Sequence, residues 1–168
     1  MNLNLFKKMV NDIDHKKINE LSKLLESFEK VIIIGNGGSN AIASHIAVDY
    51  TKFLKRKCVA FTDASMLTCF VNDEGNENAF KEYLINFADR LTLVILISSS
   101  GNSDNIVNAA QYCCDSHVPF VTLTGFSPDN KVRTRFKNES FLDIWVNSES
   151  YAIVECMHMI YLHAVVDV

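Results

Sequence analysis

The sequence predicts an α/β fold: a doubly wound parallel sheet with a long N-terminal helix. Three observations carry this. The runs KVIIIG (30–35) and LTLVILIS (91–98) are apolar without alternation, the mark of strands buried on both faces. Stretches of helical periodicity lie between such runs, and strand–helix alternation places helices on both faces of a parallel sheet. Three strand ends carry glycine and small hydroxyl residues, where sheets of this kind bind ligands.

The elements follow in order. Residues 4–28 read as one helix, because Leu5, Met9, Ile13, Ile18, Leu21, Leu24 and Leu25 recur at helical spacing among charges. The strand 30–35 runs into GNGGSN, and a helix follows over 39–54 with Ser39 as N-cap. CVAFT (58–62) is a short strand. ASMLTCFVND (64–73) and ENAFKEYLINFADRL (77–91) are helices. The strand 91–98 opens into SSSGNS, with a helix from about Ser103. PFVTLTG (119–125) and SFLDIWV (140–146) are strands, and SYAIVECMHMIYLHAVVDV (150–168) closes the chain as a helix.

The 168 residues, 48% of them hydrophobic, suit one domain over 1–168. A net charge of −4 argues against a nucleic-acid partner, which calls for a basic face. No apolar run approaches a membrane span, and the N-terminus lacks the apolar core of a secretory signal. The five cysteines are odd in number and form no CxxC pair, so buried reduced thiols in a cytoplasmic protein are expected.

Three of the six glycines fall in GNGGSN, between a buried strand and a helix. That arrangement presents backbone N–H groups to an anion. SSSGNS repeats the theme after the next long strand; it reads either as a capped serine turn or as a phosphate cradle. Neither loop matches GxxxxGK[ST] or GxGxxG, so a monophosphorylated ligand fits better than a nucleoside triphosphate or a dinucleotide. His45 and Asp49 share a helix face, while Glu155, His158 and His163 lie in an apolar helix. Taken singly, each reads as a core group. Together, His45, Asp49, Glu155 and His163 read as a site, since imidazole and carboxylate are the natural set for proton transfer and metal binding. His158 points elsewhere and reads as a bystander, and His15 and His117 as solvated. Asn72 and Asp73 either end a helix or bond sugar hydroxyls.

The segments GNGGS, HIAVD, TDASMLTCFVNDEG, ISSSGNSDNIVNAA, VTLTG and ECMHMIYLH, in that order, resemble the sugar isomerase (SIS) domain family and, within it, the phosphoheptose isomerases. The resemblance implies a flavodoxin-like SIS domain whose N-terminal helix, 1–28, assembles a homotetramer. It implies isomerisation of sedoheptulose 7-phosphate, or a close sugar phosphate, through an enediol, for surface polysaccharide (lipopolysaccharide) synthesis. Phosphate contacts fall on Ser98, Ser99, Ser100, Ser103 and Ser39, and sugar contacts on Asn36, Gly37, Gly38, Asn72 and Asp73. A zinc site falls on His45, Asp49, Glu155 and His163, with Asp49 as base, His163 as acid and Glu155 as an alternative base. Asp49 stands where the family has glutamate, Glu155 where it has glutamine and Ala152 where it has aspartate. An alternative from the same resemblance is a non-catalytic sugar-phosphate binder with an assembly or regulatory role, of the type that associates with a replication initiator.

Overall fold

The computed structural model describes residues 1–166. Five strands, β1 (Lys30–Gly35), β2 (Lys57–Ala60), β3 (Thr92–Ser98), β4 (Phe120–Thr124) and β5 (Leu142–Trp145), form one parallel sheet in the order β2-β1-β3-β4-β5. Successive strand residues point to opposite faces, so one run of β-branched residues supplies two cores. Val31, Ile33, Leu93, Ile95 and Ile97 pack with α2 (His15–Ser27), α3 (Gly38–Lys52) and α8 (Tyr151–Ala164). Ile32, Ile34, Val94 and Leu96 pack with α5 (Ala79–Phe87), α6 (Asp104–Ser116) and α7 (Lys131–Phe136). The helix α4 (Ala64–Glu74) leans on this second core through Met66, Leu67 and Phe70.

The expected single helix over 4–28 is two helices, α1 (Leu3–Asn11) and α2. Asp14 explains the break: its carboxylate accepts from the N–H groups of Lys16 and Lys17 and caps α2. The expected Ser39 cap is also corrected. Gly37, at φ +51°, takes the N-cap position, and Ser39 is buried one residue inside α3. The helix α7 was not expected; its signal is Asn130, which caps it through the Arg133 N–H, ahead of Val132 and Phe136. The final helix ends at Ala164, and the last two residues of its expected span lie outside the described residues. All five cysteines are free thiols, but only Cys58 and Cys113 are buried; Cys69 is exposed.

Candidate active site

The connections from β1 and β3 leave in opposite directions around the sheet, which makes the gap beyond their carboxyl ends the switch point where such folds take ligands. The loop after β1 and the serine loop after β3 wall a cavity of about 220 Å³ there. No side chain caps the N-terminus of α3, and the Ser103 hydroxyl, at the N-cap position of α6, makes no capping hydrogen bond. Two helix N-termini therefore offer partial positive charge to the same space.

The serines divide by task. Ser98 Oγ accepts from the Gly101 N–H at 3.1 Å and Ser100 Oγ from the Asn102 N–H at 3.2 Å, so both shape the turn. Ser99 is buried, and its Oγ has no partner among the described residues. A buried hydroxyl left unpaired is costly. Ser99 lines the cavity with Ser103, and a phosphate oxygen would satisfy both. Ser39 and Gly38 line it from α3. Glu155 lies close to Gly38, where a Cβ would stand 2.5 Å from Glu155 Oε1. The Glu155 carboxylate thus lies over the first turn of α3, on the cavity wall.

Further along the same two helices, His45 and Asp49 of α3 face His163 of α8. The two Nε2 atoms are 3.1 Å apart, His163 Nε2 is 3.1 Å from Asp49 Oδ2, and His45 Nε2 is 3.4 Å from that oxygen. Donors about 2.0–2.1 Å from a tetrahedral ion stand about 3.3 Å from one another, so this triad fits zinc with an open fourth position. Glu155 is not in the triad. Eight residues of helix separate it from His163 by about 12 Å, and its side chain turns to Gly38 instead. The expected set of four is therefore three within one chain.

Asn72 and Asp73 sit exposed on α4, away from this cavity. The Asn72 amide donates to Asp73 Oδ1 at 2.7 Å, and that bond, with a second from the Cys69 thiol, holds the Asp73 carboxyl below its usual range. His158 is fully buried, with Nε2 at 3.0 Å from the Thr124 carbonyl, as suits a core group. His15 and His117 are exposed. Sequence reasoning missed Tyr151, the first residue of α8, which lines the cavity and packs edge-on against Phe126 with ring centres 4.8 Å apart. Its place just after the last strand was the available signal.

This fold and site define a class: the chain belongs to the SIS domain family, whose profile matches residues 5–125. Within it, the chain is similar to phosphoheptose isomerases. The one from Helicobacter pylori (strain P12) is 30% identical over 158 residues, covering 90% of this chain and 80% of that protein. The one from Fusobacterium nucleatum is 27% identical over 173 residues, covering 97% and 87%. The solved phosphoheptose isomerase from Neisseria gonorrhoeae matches with a TM-score of 0.86 at 26% identity, over 96% of this chain and 89% of that one.

Proposed function

We propose that this chain is a phosphoheptose isomerase, interconverting sedoheptulose 7-phosphate and a heptose 7-phosphate through an enediol. The observation that carries the reading is the switch-point cavity, where two helix N-termini uncapped by side chains meet the free hydroxyls of Ser99 and Ser103. That cradle suits a phosphate dianion without lysine or arginine. Ser39 and the loop-shaping Ser98 and Ser100 complete it, while Asn36, Gly37 and Gly38 face the sugar. His45 follows Gly38 by seven residues, about 10 Å along α3. Phosphate and reacting carbon so far apart suit a long acyclic sugar better than a triose. The isomerase relatives weigh against the non-catalytic alternative.

Chemistry then falls to the triad. The Asp49 carboxylate takes the proton from the carbon beside the carbonyl, and His163, 3.1 Å from it, moves the proton on oxygen. Glu155 stands at the phosphate end of the cavity, over Gly38 and too far from the triad to act on the same carbon. Zinc held by His45, Asp49 and His163 would polarise the carbonyl and stabilise the enediolate, and would replace His163 on the oxygen side, because His163 Nε2 would then be a ligand and not a proton carrier. His45 is 54% exposed and His163 40%, so the triad is open to a neighbouring subunit. The apolar face of Phe6, Ile42, Met159 and Ile160 suits the same contact. We read 1–168 as one SIS domain in a closed homotetramer, where Asn72 and Asp73 would serve a site completed by another copy. Among the described residues no helix is long and apolar enough to cross a membrane; we place the protein in the cytoplasm, making precursors of surface lipopolysaccharide.

The test is turnover. Purified protein incubated with sedoheptulose 7-phosphate should yield aldose product by NMR, with activity lost to a chelator and restored by zinc. Sugar-phosphate binding without product would return the non-catalytic alternative.

A further inference from the structure

Asn105 is the second residue of α6, 4% exposed. A short polar side chain there would ordinarily turn back to its own helix N-terminus or to solvent. It does neither. Its Nδ2 donates to Asn36 Oδ1 at 3.0 Å, and its Oδ1 accepts from Asn36 Nδ2 at 2.9 Å. These reciprocal bonds join α6 to the glycine loop after β1, across the switch point.

The consequence falls on Asn36, which is exposed. Asn36 lines both the phosphate cavity and a second cavity of about 130 Å³ between that loop, α4 and α5. An amide carries two N–H groups and two oxygen lone pairs. The pair with Asn105 uses one of each and immobilises the plane of the group. One donor and one acceptor remain at defined positions, a set that matches adjacent sugar hydroxyls. Without the pair, Asn36 would rotate freely at the cavity mouth, and its ordering would be charged against binding.

We propose that Asn105 is a positioning residue, holding the Asn36 amide in the orientation that meets the sugar hydroxyls of the substrate. The proposal rests on the sugar-phosphate reading of the cavity. Asn105 touches no substrate and acts through Asn36. The serine side of the phosphate cradle is held by its own turn and strand, through Ser98 and Ser100, and not by Asn105.

A double-mutant cycle tests this, with sedoheptulose 7-phosphate as ligand and inorganic phosphate as a second probe. Asn105→Ala should weaken sugar-phosphate affinity, by calorimetry, about tenfold. Inorganic phosphate should bind as in wild type. In an Asn36→Ala background, Asn105→Ala should have no further effect. Asn105→Asp keeps the shape and one of the two bonds, and should fall between wild type and Asn105→Ala; it also serves if the alanine variant melts early. Equal loss of sugar-phosphate and inorganic-phosphate affinity would show a merely structural residue. Additive losses in the double variant, or wild-type affinity in both Asn105 variants, would likewise overturn the proposal. Wild-type turnover is scored separately: its absence, with the coupling intact, removes the isomerase reading and leaves the Asn36–Asn105 inference standing.

Discussion

Two glycines near the phosphate cavity should answer a methyl group differently. At Gly38 the added Cβ meets the far end of Glu155, a side chain that can swing away. At Gly101 it meets the amide of Asn130, and the backbone is at φ +62°. Asn130 cannot swing: it is 1% exposed, donates to the Gly125 and Ser127 carbonyls and accepts from the Arg133 N–H. Gly101→Ala should therefore cost about 2–4 kcal/mol and Gly38→Ala less than about 1 kcal/mol, read from urea unfolding. Equal losses would refute the distinction. His158 supplies a second residue-scale expectation. Burial pushes its imidazole down to about 4, against a partial opposing pull from the Thr124 carbonyl. The folded state keeps it neutral while the unfolded chain protonates below about pH 6.5, so stability rises with pH between those values. Above that window this group contributes no slope. Acidification from about pH 6.5 to 4 should cost on the order of 3 kcal/mol through this group. His158→Gln keeps a donor for the carbonyl and cannot titrate, so its stability should fall less over the same window. Parallel curves for the two proteins would remove His158 as the cause.

At the scale of elements, the N-terminal helices show where periodicity misleads. Leu5, Met9, Ile13 and Ile18 keep roughly helical spacing through the break, so the apolar pattern alone reads as one helix. The break is made by one carboxylate, because Asp14 satisfies the N–H groups that open α2. Asp14→Ala should destabilise the fold by about 0.5–2 kcal/mol. Asp14→Asn, which keeps an acceptor, should retain most of that stability in chemical denaturation. If the two variants unfold together, the cap is not what holds α2. The helix α7 escapes periodicity for a different reason. It is six residues long, and it is held by a tertiary contact, the nearly buried pair of Arg133 with Asp143 of β5 at 2.9 Å.

At the scale of the whole molecule, α1 has no buried residue, and Leu3 remains 67% exposed. Phe6, Met9 and Val10 of α1 pack against the core only partly buried, and Phe6, Met159 and Ile160 border an apolar groove floored by Ile42. Light scattering at micromolar concentration should report a tetramer. A monomer would deprive this face, and the open triad beside it, of the neighbour assigned to them.

The sequence alone determined the sheet and the glycine- and serine-rich loops at its strand ends. Unbroken β-branched runs are the pattern of strands buried on both faces, as in a parallel sheet covered by helices, and glycine and serine clusters at strand ends are local features that survive any packing of the helices. The residue types of the triad were legible too, as was His158 as a core group. Only the tertiary structure decided which groups meet. Glu155 and His163 share one apolar helix in the sequence, yet one turns to Gly38 and the other to Asp49. Ser98 and Ser99 are adjacent, yet one hydroxyl bonds its own turn and the other has no partner among the described residues. The partnership of Asn36 with Asn105 spans 69 residues and follows no motif. The physical reason is common to all three: helix and strand periods set which way a side chain leaves the backbone, but what it meets depends on the packing of another element against it.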